Sequence, residues 1–132
     1  MSIGENTNLK ELGDIPGNFH VYNYVPQLQV LEMADVFINR GGEDSINEAI
    51  FLARLPIIVI PMLSVQENAK LIGKLKAGIL LDKDKLNPKI LNKAVDDYLS
   101  NKEEYLKGVD LIAESFEKVR NERKSILKKI LS

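Results

Sequence analysis

The sequence predicts an α/β domain, Rossmann-like, with a parallel sheet between helical layers in a three-layer α/β/α arrangement. Three observations carry that expectation. Val36-Phe37-Ile38, Ile57-Ile58-Val59-Ile60 and Ile79-Leu80-Leu81 are short apolar runs without alternation, the pattern of strands buried on both faces. Between them, Ile46, Ala49, Ile50 and Ala53 recur at helical spacing over residues 43–53, as do Ala69, Leu71, Ile72 and Leu75 over residues 66–76. The resulting β-α-β-α-β order calls for right-handed crossovers and parallel strands. The length, 132 residues, suits a single domain over residues 1–132.

The remaining elements follow in chain order. Residues 19–22 read as an earlier strand and residues 1–3 as the stump of another. Pro26 suits the first turn of a short helix through Leu31, where its missing N–H would be unpaired anyway. Asn87 is the expected N-cap, and Pro88 the first residue, of a helix reaching about Leu99. Over residues 101–132 the chain is highly charged, yet Ile112, Phe116, Val119, Ile126, Leu127 and Ile130 form a stripe. This predicts a C-terminal amphipathic helical segment, with a break expected near Gly108.

Composition narrows the function classes. Apolar residues make up 45% and charged residues 28%, and eighteen basic against nineteen acidic side chains leave a net charge of -1. Whole-chain steering toward nucleic acid or an anionic membrane is therefore not expected. There is no cysteine and a single histidine, His20, which excludes disulfides, thiolate catalysis and Cys/His metal clusters. The sequence implies neither a metal nor a cofactor, and it suits a reduced, cytoplasmic setting. No apolar run approaches the roughly 18 residues of a membrane span. Lys118, Arg120, Arg123, Lys124, Lys128 and Lys129 give the last helix a basic flank, which reads as a solvated face ahead of a lipid-binding one.

In open parallel sheets ligands bind beyond the carboxyl ends of the strands. The first such loop, Asn39-Arg40-Gly41-Gly42, is the informative one. Two glycines let the backbone approach a ligand, and Glu43-Asp44-Ser45 then opens a helix whose free N–H groups favour an anion such as phosphate. Alternatively, Asp44 or Ser45 simply caps that helix. Glu48 lies three residues after Ser45 on the same helical face, within reach of vicinal ribose hydroxyls, or is a solvated glutamate. Asn39 at the strand end disfavours a receiver-type signalling domain, which needs an aspartate there.

Three segments together, Tyr24-Val-Pro-Gln-Leu-Gln-Val-Leu, Ala34-Asp-Val-Phe-Ile-Asn-Arg-Gly-Gly-Glu-Asp-Ser-Ile-Asn-Glu-Ala and Leu55-Pro-Ile-Ile-Val-Ile-Pro-Met, closely resemble the donor-binding signature of UDP-dependent glycosyltransferases. The resemblance is to the C-terminal domain of the GT-B fold, nearest the bacterial macrolide-type branch, and runs from about Phe19 to Asp82. It implies that Tyr24 stacks on uracil while Val25 and Gln27 meet the base edge. It also implies that Arg40, Gly41, Gly42, Asp44 and Ser45 hold the diphosphate, Glu48 the ribose and Gln66 the sugar.

This chain departs from the family pattern at named positions. Tyr24 stands for the usual tryptophan, Arg40 for a histidine, Asp44 for an asparagine and Val65 for the aspartate of an Asp-Gln pair. Arginine keeps a donor and adds fixed charge, whereas a carboxylate at position 44 repels phosphate unless Arg40 or a metal compensates. Valine cannot accept a hydrogen bond from a sugar. The family's acceptor site and histidine base belong to a separate N-terminal domain, and His20 matches neither.

Two readings of function follow. In one, the chain is the donor half of a UDP-sugar glycosyltransferase, taking UDP or UDP-sugar as its substrate and inactive without an acceptor domain. In the other it is a non-catalytic module that self-associates, or pairs with a separate acceptor-domain chain, through the C-terminal stripe.

Overall fold

The computed structural model describes residues 1–62 and 67–132. Its elements are α1 (Gln27–Glu32), β1 (Phe37–Asn39), α2 (Glu43–Asn47) running on as a π-helical turn (Glu48–Leu52), β2 (Ile57–Val59), α3 (Glu67–Lys74), β3 (Gly78–Leu80), α4 (Pro88–Ser100) and α5 (Lys102–Leu131). The three strands lie in the order β1-β2-β3 and are all parallel. Ile57 pairs with Phe37 on one side and Gly78 on the other, and Val59 with Asn39 and Leu80. All three predicted strands are thus present, each within one residue of its apolar run.

The core explains why these runs do not alternate. Ile57, Ile58 and Val59 are at most 1% exposed, so the central strand is covered on both faces. Ile57 and Val59 pack with Leu31, Ile46, Ile50, Ile72 and Val109. By strand alternation Ile58 points the opposite way, toward the layer to which α4 adds buried Ala94 and Tyr98. Leu71, expected in the core, is exposed and lines a groove instead.

Helix ends follow local chemistry. Asn87 Oδ1 accepts from the Ile90 amide at 3.0 Å, with Pro88 in the first turn of α4, as the sequence predicts. Pro26 lies just before α1 as its N-cap. By contrast, α2 is capped by Gly42 without any side-chain bond, so neither Asp44 nor Ser45 serves as its cap. The helix expected over residues 43–53 widens midway, where the Ala53 amide reaches the Glu48 carbonyl at 2.9 Å, an i to i+5 bond of a π-turn.

Two further expectations are corrected. Residues 19–22 form no strand of the sheet: Tyr22 makes one isolated parallel bridge with Ser2, and no residue of the first thirty is buried. That segment lacks the two-sided apolar cover a central strand requires. Nor does the last helix break at Gly108, since α5 is continuous from Lys102 to Leu131. A Cβ at Gly108 would lie 2.4 Å from the carbonyl oxygens of both Leu75 and Lys76, so the glycine lets the helix rest directly on the turn between α3 and β3. Val109 and Ala113 are thereby seated in the interior. Arg54 adds ion pairs to Asp110 at 3.3 Å and Glu117 at 2.8 Å, and Lys76 pairs with Glu104.

Around the junction of α4 and α5, Tyr98 and Tyr105 meet edge to face with centroids 5.7 Å apart. Burial pushes the Tyr98 hydroxyl above its ordinary value. Burial, reinforced by a 2.7 Å bond donated to Asp97, pushes Tyr105 up to about 12. Lys102, hydrogen-bonded to Asp35 at 3.0 Å, is also raised.

Two predictions follow from this packing. Gly108→Ala should lower unfolding free energy by about 2 kcal/mol or more, whereas Gly73→Ala, whose Cβ meets nothing within 4 Å in α3, should raise it by up to about 1 kcal/mol; urea denaturation measures both. The raised groups stabilise the fold fully below their unfolded values, and that contribution is lost as pH climbs through the folded ones. Between pH 10 and 12 the urea midpoint should therefore fall, and Tyr105→Phe should make the fall shallower.

Candidate functional site

The parallel register brings the carboxyl ends of all three strands to one edge of the sheet, where helix-entry loops gather. The loop after β1 is shaped from within. Asn39 Oδ1 accepts from the Gly41 amide at 2.7 Å, an Asx-type turn that folds Arg40 outward into solvent. Gly41 takes φ +88°, in the left-handed region that glycine adopts without strain. A Cβ there would also sit 3.3 Å from Val59 Cγ1. Gly41 is buried, while Gly42 and Asp44 are exposed.

Three of the predicted residues converge. Gln27 Nε2, at the start of α1, donates to Glu48 Oε2 at 2.7 Å and to Ser45 Oγ at 3.2 Å. Ser45 and Glu48 therefore share one face, as their spacing predicts, although Glu48 opens the π-turn rather than continuing an ordinary helix. Tyr24 is 74% exposed with its ring open to solvent, and Val25 beside it is half-buried. Arg40 and Asp44 form no ion pair among the described residues. Gln66 and Val65 lie outside the described residues.

Sequence reasoning missed Asn39 as a builder of this loop. The available signal was an asparagine two residues before a glycine at a strand end, the spacing of an Asx turn. While its Oδ1 is engaged, its buried Nδ2 has no partner. His20 is exposed. Among the described residues no three His, Asp or Glu side chains gather as a metal site, and no helix is long and apolar enough to cross a membrane. A groove of about 630 Å³ opens among α2, the π-turn, α3 and α5, lined by Leu71, Ile112 and Phe116 and, from the candidate site, by Asp44 and Glu48. Tyr24, Gln27 and Arg40 take no part in it.

A parallel three-stranded sheet covered by helices, with a glycine loop at its carboxyl edge, defines a Rossmann-like domain. More narrowly, the family model for the glycosyltransferase family 28 C-terminal domain matches residues 3–128, and the chain belongs to that family. Over 117 residues it is 41% identical to the uncharacterized UDP-glucosyltransferase YdhE of Bacillus subtilis (strain 168), a match covering 88% of this chain and 29% of that protein. The crystal structure of the glycotransferase of kitacinnamycin superposes with a TM-score of 0.76 at 32% identity, over 89% of this chain and 30% of that one. CalG4, the calicheamicin glycosyltransferase, shares the fold, with a TM-score of 0.78 at 21% identity over 98% of this chain and 34% of that one. The resemblance read from the sequence and the GT-B C-terminal fold it implied are both borne out. The chain spans less than a third of the length of the curated relatives it matches.

Because Asn39 is the partner of the Gly41 amide among the described residues, Asn39→Ala should cost about 1–2 kcal/mol in urea denaturation. Asn39→Asp keeps the acceptor but puts a carboxylate oxygen where the buried Nδ2 has no partner, so it should recover only part of that loss.

Proposed function

We propose that this chain is the donor-binding half of a UDP-sugar glycosyltransferase and that it binds UDP or UDP-sugar across the carboxyl edge of the sheet. The observation that carries the reading is the cluster of Gln27, Ser45 and Glu48, joined at 2.7 and 3.2 Å beside the glycine loop.

The chemistry of each group supports a part. Tyr24 offers a flat exposed ring for stacking on uracil. Gln27 engages its amide nitrogen internally and keeps its carbonyl oxygen as an acceptor for the N–H of the base, with the backbone at Val25 beside it. Arg40 supplies charge-assisted donors to the diphosphate, together with the backbone of Gly41 and Gly42 and the Ser45 hydroxyl. Asp44 flanks that group and opposes its charge. Glu48 accepts from the ribose hydroxyls, and Gln66 contacts the sugar.

In the complete reaction the bond between the sugar's anomeric carbon and the diphosphate oxygen breaks. The acceptor oxygen bonds to that carbon, and the acceptor's proton passes to a base. Nothing in the Gln27–Ser45–Glu48 cluster is suited to that base, because its carboxylate is engaged with Gln27 and assigned to the ribose. We therefore expect these 132 residues to bind the donor without transferring it, the acceptor being held by a separate domain.

A proton-nitrogen NMR titration with UDP tests the reading. Shifts should concentrate at Tyr24, Gly41, Gly42, Ser45 and Glu48, and a silent titration of a well-dispersed spectrum would overturn it. Glu48→Ala should weaken UDP binding about tenfold or more, and the difference from the unaltered chain should vanish with 2′,3′-dideoxy-UDP.

A further inference from the structure

The long α5 helix rests on the domain over only its first half. Val109 and Ala113 are buried, Phe116 stacks on Phe51 with centroids 4.4 Å apart, and Glu117 pairs with Arg54 at 2.8 Å. From Lys118 to Leu131 every residue is exposed. At about 1.5 Å per residue this stretch is a bare helical arm about 20 Å long.

The arm concentrates charge that the balance of the whole chain conceals. Residues 118–131 hold six basic side chains against Glu122, a net +5, whereas the other residues hold twelve basic and eighteen acidic, a net -6. None of the six cations forms an ion pair among the described residues.

Apolar side chains share the arm in an ordered way. Val119 and Ile126 are seven residues apart, two helical turns, so they stand on one side, with Leu127 and Ile130 beside them. Ile126, Leu127, Ile130 and Leu131 are each more than half exposed. The opposite side carries Lys118, Asn121, Ser125 and Lys128. Two arginines stand within the apolar sector, because Arg123 is seven residues from both Phe116 and Ile130, and Arg120 is seven from Leu127. They decide what can cover the stripe. A protein groove would have to bury both guanidinium groups, each costly without a carboxylate partner. A nucleic acid would meet the cations and leave the isoleucines and leucines in water. At an anionic bilayer surface phosphates lie directly above acyl chains, so the apolar side chains enter and the arginine stems follow while their guanidiniums stay among the phosphates.

We propose that residues 118–131 bind anionic lipid surfaces, the helix lying in the plane of the headgroup layer with its Val119, Ile126 and Ile130 side toward the acyl chains. Basic residues are attracted to such a surface. The net -6 of the remaining residues, screened over about 10 Å at 0.1 M salt, disfavours a flat approach by the rest of the domain and leaves the contact to the arm. The sequence alone favours a solvated basic flank here, and the structure changes that because it leaves the stripe uncovered. This role does not depend on the donor reading.

Co-sedimentation tests it. Vesicles of phosphatidylglycerol and phosphatidylcholine in equal parts, at about 0.1 M salt, should bring down the 132-residue chain, with an apparent affinity about tenfold or more above that for phosphatidylcholine alone and lost near about 1 M salt. Ile126→Asn combined with Ile130→Asn, at exposed positions and with no change of charge, should weaken binding about tenfold or more while leaving the urea midpoint of the domain in place. Lys128→Gln combined with Lys129→Gln should weaken it to a similar extent.

The chain has no cysteine, so a polarity-sensitive thiol dye reports which side enters lipid. At Ile130→Cys its emission should move to the blue on the anionic vesicles. At Asn121→Cys, nine residues away and so on the opposite side of the helix, it should stay as in water. A chain left in the supernatant at every lipid concentration overturns the proposal, and is the result expected if another protein covers the stripe. Equal sedimentation with phosphatidylcholine alone overturns it too. So does binding indifferent to the two asparagines, or a dye that responds alike at both positions, which is the behaviour of cations adsorbing to any polyanion.

Discussion

The burial of the central strand on both faces is the constraint from which the rest of the structure follows. A run as apolar as Ile57-Ile58-Val59, less than 2% exposed at each residue, must be paired along both edges and covered above and below. Parallel neighbours need long return connections, and in this chain those returns are the helices that supply the cover. The same parallel order brings the three strand ends to one edge. A polar site there is a geometric consequence of how the apolar residues are hidden. α5 belongs to this logic: its glycine contact at Gly108 lets Val109 reach the cluster containing Ile57 and Val59.

At the strand-end edge, packing and polar chemistry meet in a few atoms. Val59 is part of the core and is also the side chain that a Cβ at position 41 would crowd. Asn39 pairs with Val59 in the sheet and hydrogen-bonds the Gly41 amide through its side chain. The loop conformation is therefore held by the strand before it and the strand beside it. On the far side of the loop, the Gln27 amide ties α1 to α2 through Ser45 and Glu48. Both anchors are side-chain hydrogen bonds at a partly open surface, each worth about 1 kcal/mol, and they fix orientation more than they stabilise the domain.

The strands, the order of helices and the location of the site were legible because periodicity and turn residues report burial directly. Ile46, Ala49 and Ile50 fall in the core as their spacing demands, and the Asn87-Pro88 start of α4 is written in two residues. What was not legible depends on contacts distant in sequence. Gly108 reads as a helix breaker when only local propensity is considered, yet its role is set by carbonyls more than thirty residues earlier. The π-turn at Glu48–Leu52 has no sequence signal of its own. It places Ala49 and Ile50 in the core while Ala53 ends the widened turn. Residues 19–22 look like a strand by composition, but they have no neighbouring pair of strands to be buried between.

The departures from the family pattern can be weighed by the same physics. Relative to that pattern, Arg40 adds a fixed positive charge and Asp44 a negative one, in a loop and helix turn four residues apart, so the local charge balance is nearly conserved. Both side chains are exposed, where water reduces the interaction of unit charges at 4 Å to about 1 kcal/mol. A carboxylate at Asp44 thus opposes an approaching anion only weakly, while Arg40 can rotate toward it and offer paired donors that a histidine lacks. Glu48 is in a different position. It is half-buried and bound to Gln27 at 2.7 Å, so its orientation is set in advance, and on the proposed reading less entropy is lost when a ribose hydroxyl meets it. The preorganised part of the edge is the Gln27–Ser45–Glu48 cluster, and the adaptable part is Arg40 with Asp44. On the proposed donor reading, the first part would fix the ribose and the second would let the diphosphate find its own counter-charge.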